Sequence, residues 1–66
     1  MKLNLKIIKL LQARKCLSIN DLVELTGLSR PSISRAFNGK TNPPPKTVGL
    51  IAKALNVDVT DIITDE

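Results

Sequence analysis

Two helix-start signals with a glycine between them constrain this chain more than any other feature of its sequence. Ser18 precedes an apolar run, and Asp21 lies three residues after Ser18. This arrangement is typical of a capped helix N-terminus. Gly27 is able to adopt the left-handed conformation that ends a helix in a sharp turn. Ser29 then caps another helix and puts Pro31 at its second position, where proline loses no hydrogen bond. The signals predict two short helices joined by a tight turn.

The spacing of apolar residues predicts which face of each helix is buried. The expected inward positions are Leu3, Ile7, Leu10 and Leu11 in helix one; Leu22, Val23 and Leu25 in helix two; Ile33, Ala36 and Phe37 in helix three; and Val48, Ile51, Ala52 and Leu55 in helix four, from about Lys46 to Leu55. Asn56 is a plausible left-handed stop, and Thr60 caps a last turn that contributes Ile62 and Ile63. Strand signals are poor because no segment sustains an alternation of polar and apolar residues. We therefore predict an all-α fold, a compact five-helix domain that occupies residues 1–66.

The outward face of the third helix is polar and basic. At about 100° per residue, Pro31, Ser34, Arg35 and Asn38 gather opposite the apolar stripe, with Arg30 at the edge. Arginine is able to donate two hydrogen bonds to guanine O6 and N7, and N–H groups at a helix start bind phosphate oxygens. Helices two and three are thus predicted to form a helix-turn-helix whose second helix enters the DNA major groove.

Charge is distributed unevenly along the chain. Residues 1–46 hold nine basic and two acidic residues, a net charge of +7, whereas residues 47–66 have a net charge of −3. A basic region of this size suits a polyanion such as double-stranded DNA.

Several classes of protein are disfavoured by composition. The chain has one cysteine and no histidine, so we expect no internal disulfide, no metal, no cofactor and no enzymatic activity. We interpret Cys16 as a small packing residue. No apolar run approaches the length of a membrane span and the N-terminus does not resemble a signal peptide, so we expect the protein to remain in the cytoplasm.

The segments LSINDLVELTGLSRPSISRAFNGKTNP and IAKALNVDVTDII make the chain similar to the lambda-repressor and Cro-like (Xre-type) helix-turn-helix family of phages and bacteria. The resemblance covers most of the chain from Leu17 to Ile63. It implies base contacts by Arg30, Pro31, Ser34 and Arg35. It also implies phosphate contacts by Ser29 and Ser32, and by Asn38, Lys40 and Thr41 in the loop that follows the recognition helix.

Two departures from the family pattern weaken particular inferences. Many relatives have a glutamine just after the cap of helix two, where it bonds a phosphate, and Ile19 stands there in this chain. Many relatives also pair an arginine near the end of helix one with a glutamate near the end of helix three. Gln12 and Phe37 occupy those positions, so that ion pair is lost as a unit and Phe37 becomes a candidate core residue.

The resemblance implies a sequence-specific transcriptional regulator that binds a double-stranded DNA operator as a homodimer, at least on DNA, and represses by occupying it. The alternative is a protein-interaction module, antirepressor or antitoxin-like, that neutralises another repressor or a toxin. A truncated domain of a longer repressor fits the sequence equally well. The basic first helix also suits a membrane surface, but its apolar face is needed by so small a core. The apolar tail residues Val57, Val59, Ile62 and Ile63 either complete the core or meet a second subunit.

Overall fold

The computed structural model describes residues 1–39 and 41–64 of the chain. Along the chain the elements are strand β1 (Lys2–Leu3), helices α1 (Leu5–Arg14), α2 (Ile19–Thr26), α3 (Arg30–Phe37) and α4 (Pro45–Ala54), a 3-10 turn (Val59–Asp61) and strand β2 (Ile63–Thr64). The two strands pair antiparallel, with Lys2 opposite Thr64 and Leu3 opposite Ile63. The first and last described segments of the chain therefore lie side by side.

The core draws at least one buried side chain from every helix, because each helix has one apolar stripe that must leave water. The buried apolar residues are Leu3, Ile8, Leu22, Ile33, Ala36, Val48, Ile51, Ala52, Leu55 and Ile62. All four positions predicted for the inner face of α4 and its C-cap are among them, and Asn56 has the predicted positive φ, at 58°. Phe37, the candidate core residue at the end of α3, is half-buried and packs against this cluster.

The predicted inner face of the first helix is partly wrong. Helix α1 begins only at Leu5, since Asn4 caps it by accepting a hydrogen bond from the Ile7 N–H at 3.3 Å. Ile8 is the fully buried residue of α1, while Leu10 is 50% exposed. Leu3 is buried as predicted, but it lies in β1 rather than in a helix. Ile7 and Leu11, two of the predicted inward residues, are half-buried and pack against the core beside Ile8.

The five-helix prediction is also wrong in its last element. The described ranges contain four α-helices, and the segment expected to form a fifth is a single 3-10 turn followed by β2. Asp58, not Thr60, caps that turn, and the Thr60 N–H donates to the Asp58 carboxylate at 3.0 Å. The carbonyl of Ile62 then accepts a hydrogen bond from the Asn4 N–H at 2.8 Å. The tail therefore finds its backbone partners in the N-terminal segment instead of in its own next turn.

Two further side-chain predictions need correction. Cys16 is exposed, because it occupies the left-handed position (φ 54°) in the turn that follows α1. Its own N–H donates to Ala13 O at 3.2 Å, and Gln12 closes the same turn with a side-chain bond to Leu17 O at 3.0 Å. Leu25, expected on the apolar stripe of α2, is 57% exposed. In the tail, Ile62 is fully buried while Val57, Val59 and Ile63 are half-buried.

Candidate functional site

The turn between α2 and α3 is fixed by a glycine and by a buried hydroxyl. Gly27 is the C-cap of α2 with φ 74°, and its N–H donates to Val23 O at 2.9 Å. Thr26, only 7% exposed, donates its hydroxyl hydrogen to Leu22 O at 2.6 Å and accepts the Leu28 N–H at 3.1 Å. Because both hydrogen-bonding functions of the hydroxyl are satisfied, the buried polar group fixes the geometry between the helices.

Caps define where each helix of this pair begins. Ser18 and Asp21 form a full capping box: the Asp21 N–H donates to Ser18 Oγ at 3.1 Å, and the Ser18 N–H donates to the Asp21 carboxylate at 2.8 Å. The Ser18 N–H and hydroxyl both donate to that carboxylate and hold the pKa of Asp21 below its ordinary value. In α3, Ser29 accepts the Ser32 N–H at 3.3 Å, which leaves Pro31 in the first turn as predicted.

Helix α3 turns its predicted polar face to solvent. Ile33 and Ala36 are buried, whereas the side chains on the opposite side are exposed: Arg30, Pro31, Ser34, Arg35 and Asn38. Ser29 is exposed and Ser32 is half-buried, and their side chains are hydrogen-bonded to each other at 2.8 Å. Thr41 is exposed, and Lys40, a predicted phosphate contact, lies outside the described residues.

The two arginines of α3 occupy different places on this face, Arg30 at its edge and Arg35 among the residues opposite the apolar stripe. They are five residues apart, which separates them by about 140° around the helix. The Nη1 group of Arg30 donates a hydrogen bond to Asn20 Oδ1 at the start of α2. Arg35 instead lines an open groove of about 240 Å³ between α3, the following connector and the start of α4. The groove is lined by Ser32, Arg35, Ala36, Thr41, Asn42, Pro43, Pro44 and Thr47.

The start of α4 adds backbone donors beside this groove. Pro44 is the N-cap of α4 and supplies no side-chain hydrogen bond, and the first turn contains no acidic residue. Pro44 and Pro45 have no N–H, so the first backbone donors of α4 are those of Lys46 and Thr47, whose partial positive charge attracts anions. Thus three predicted contact residues, Ser32, Arg35 and Thr41, share one groove with a helix N-terminus.

Sequence reasoning missed Asn20, Asn42, Thr26 and Thr47. Thr26 had a signal, since a threonine just before a C-cap glycine is placed to bond a carbonyl one turn back. Asn20, Asn42 and Thr47 had none, because their relevance depends on how α2, the connector and α4 pack around α3.

Residues 1–39 and 41–64 contain no group of three acidic, cysteine or histidine side chains arranged to hold a metal ion. None of the helices in those ranges has the length and hydropathy needed to cross a membrane.

Comparison with known proteins yields one match. A family model described as Helix-turn-helix matches residues 7–62, which is most of the chain and includes all of α2, α3 and α4. No curated protein and no solved structure matches the chain significantly.

Proposed function

The chain belongs to the lambda-repressor-like (Xre-type) helix-turn-helix family of DNA-binding regulators, and from this premise we propose that it represses transcription by occupying a specific operator. The observation that carries the proposal is the α2–Gly27–α3 unit: its apolar side lies in the core while α3 exposes arginine, serine and proline along one face. The function is of the Cro or repressor type, in a phage or a bacterium, without enzymatic activity.

In the proposed complex α3 lies in the major groove of double-stranded DNA, which is about 12 Å wide and admits one helix. Arg30, Pro31, Ser34 and Arg35 face the base edges. Arginine suits guanine, and the exposed ring of Pro31 offers an apolar surface to a thymine methyl group. The short turn at Gly27 supports this arrangement, because it brings α2 across the phosphate backbone while α3 enters the groove.

The phosphate contacts are assigned to the two ends of α3 and to the connector. Ser29 and Ser32 serve the N-terminal end, and Asn38, Lys40 and Thr41 the C-terminal end. The groove beside Arg35 supports this assignment, since hydroxyl and amide side chains line it and the first turn of α4 contains no acidic residue. Asn42 and Thr47 join the set of phosphate-contact candidates on the same ground.

We place a second copy of the chain on the outer side of α4. An open groove of about 380 Å³ there is lined by Gly49, Ala52, Lys53, Asn56, Val57, Asp58 and Val59. Gly49 has no side chain that would hold another backbone away, and Lys53 and Asp58 are exposed and have opposite charges. In a two-fold interface each residue meets its complement on the other copy, so Lys53 of one chain would face Asp58 of the next. Such a homodimer spans two half-sites about one helical turn apart.

A protein partner remains the second candidate function. Leu10 and Leu25 are large apolar side chains that are 50% and 57% exposed on α1 and α2. Exposed apolar side chains mark a protein contact where they form a contiguous patch. An antirepressor or antitoxin-like role would use them to form a complex of fixed stoichiometry with another repressor or with a toxin.

Selection of bound sequences from a random DNA pool tests the proposal, followed by affinity measurements at several salt concentrations. We expect one enriched operator and a plot of log K against log salt that falls steeply, because a surface of this charge displaces several counterions. A slope near zero, or no enriched sequence, would contradict the proposal and favour the protein partner.

A further inference from the structure

The hydrogen bond between Arg30 and Asn20 links the second and third helices on the exposed side of the motif. Asn20 is the second residue of α2, and Arg30 is the first residue of α3. Both side chains are exposed, so the bond contributes little to the core. Its consequence is positional, because it ties the guanidinium at the start of the recognition helix to a fixed point on α2.

The partner of Arg30 in this bond is a neutral amide, although a carboxylate lies next to it in the chain. Asp21 is occupied within its own helix, where it accepts hydrogen bonds from the Ser18 N–H at 2.8 Å and from the Ser18 hydroxyl at 3.0 Å. The capping box therefore holds the negative charge at the start of α2, while Asn20 supplies an uncharged acceptor. The positive charge of Arg30 is oriented without being neutralised.

The bond also leaves Arg30 able to contact DNA. A guanidinium has five N–H donors in a planar fork, and the bond to Asn20 uses a hydrogen of Nη1. Enough donors remain for a bidentate contact with guanine O6 and N7. A side chain that is ordered before binding loses less entropy when the complex forms.

We propose that Asn20 is a positioning residue for DNA recognition, which holds the Arg30 guanidinium at the border of the recognition face so that it reads one base pair. The inference rests on the proposed function and adds a specificity determinant that lies on α2, outside the recognition helix. Asn20 acts through Arg30 and not by its own contact with the base.

A double-mutant cycle tests this coupling. Wild type, Asn20→Ala, Arg30→Ala and the double variant are titrated against the selected operator and against operators substituted at every base pair. We expect Asn20→Ala to weaken binding about three- to tenfold. It should also reduce base specificity at the same operator position as Arg30→Ala does. In the Arg30→Ala background the effect of Asn20→Ala should disappear. An equal loss with and without Arg30 would overturn the inference.

Two further variants separate positioning from charge and from folding. Asn20→Asp keeps an acceptor for Arg30, so it should retain the base preference while it lowers affinity on all operators through repulsion of phosphate. Loss of the preference in this variant would also overturn the inference. Glu24→Ala, an exposed change one turn further along α2, should leave the base preference unchanged. If the wild-type protein selects no preferred operator, the proposed function and this inference both fail. If it selects one but the effects of Asn20→Ala and Arg30→Ala on affinity simply add, this inference alone fails.

Discussion

At the residue scale, the recognition helix has two exposed arginines, Arg30 and Arg35, and the two have different surroundings. Arg30 is bonded to Asn20 on the side of α2. Arg35 lies along the groove with Thr41 and Thr47 on the side of α4. The two arginines are thus expected to contribute to different base pairs.

Replacement of Arg35 by alanine tests its assignment as a base contact. We expect Arg35→Ala to cost about 1–3 kcal/mol on the preferred operator and to relax specificity at one base pair. Arg14→Ala removes an arginine that is also exposed but lies at the end of α1, and should change affinity less and equally on all operators. Binding measured on every single-base operator variant distinguishes these outcomes. A uniform loss for Arg35→Ala would mean that it contacts phosphate.

Single residues show where sequence reasoning reaches its limit. Ser29, Pro31 and Ile33 could be assigned correctly because caps, proline and periodicity act within one helix. The exposure of Cys16 could not be predicted, because a free cysteine is usually buried. Its exposure results from the left-handed turn that follows α1. Asn20 carries no local signal at all, because its partner lies ten residues away on another helix.

At the scale of elements, the turn between α2 and α3 depends on the backbone of Gly27. Its φ is 74°, a left-handed conformation that is unfavourable for any residue with a Cβ. An added Cβ would meet nothing within 4 Å, so the cost of a side chain there comes from the backbone and not from a steric clash. We expect Gly27→Ala to lower the free energy of unfolding by about 1–2 kcal/mol, measured by urea denaturation. Gly49→Ala is the matched control: Gly49 is inside α4 without a positive φ, so alanine there should stabilise the isolated chain by about 0.5–1 kcal/mol. Equal effects of the two changes would contradict the role of the turn.

Two capping carboxylates make helix stability sensitive to acid. Bonds from Ser18 lower the pKa of Asp21, and bonds from the Thr60 side chain and N–H lower the pKa of Asp58. A carboxyl whose pKa is lower in the folded state stabilises the fold above its unfolded pKa, about 3.9 for aspartate, and this contribution is lost as pH falls through the folded value.

The variant Asp21→Asn/Asp58→Asn should therefore lose less stability than wild type on acidification. Thermal unfolding followed from about pH 6 to about pH 3 measures the difference. Ser34→Ala, an exposed change on α3 that alters no titratable group, should leave the wild-type pH dependence in place. If the double variant followed the wild-type curve, the caps would not be the source of the acid sensitivity.

Helices α2, α3 and α4 could be predicted because their starts, stops and apolar stripes agree with one another. The termini could not. Lys2–Leu3 is too short for a strand pattern, and its pairing with Ile63–Thr64 is a tertiary event that neither segment encodes alone. The periodic signal in the N-terminal segment therefore predicts a first helix that starts too early, and the apolar residues of the tail predict a helix where a 3-10 turn and β2 form.

At the scale of the whole molecule, the proposed dimer depends on charge complementarity across the α4 groove. Lys53→Glu should weaken self-association and cooperative operator binding, because it would face Asp58 of the other copy. Asp58→Lys added to Lys53→Glu exchanges the two signs and should restore both properties. Analytical ultracentrifugation and footprinting over both half-sites provide the measurements. Lys9→Glu, an exposed change on α1, is the control for altered net charge. If the double variant were as defective as Lys53→Glu alone, the proposed dimer interface beside α4 would be wrong.

The pairing of β1 with β2 has a consequence for the order in which the chain folds. The α2–α3 turn joins neighbours in sequence, whereas Lys2 meets Thr64 only after nearly the whole chain has been brought round. Closing so large a loop costs more conformational entropy than forming the α2–α3 turn. The strands that it brings together are only two residues long, so they form few hydrogen bonds. We therefore expect the β1–β2 pair to form late in folding and to open first, while α2 and α3 stay packed against each other.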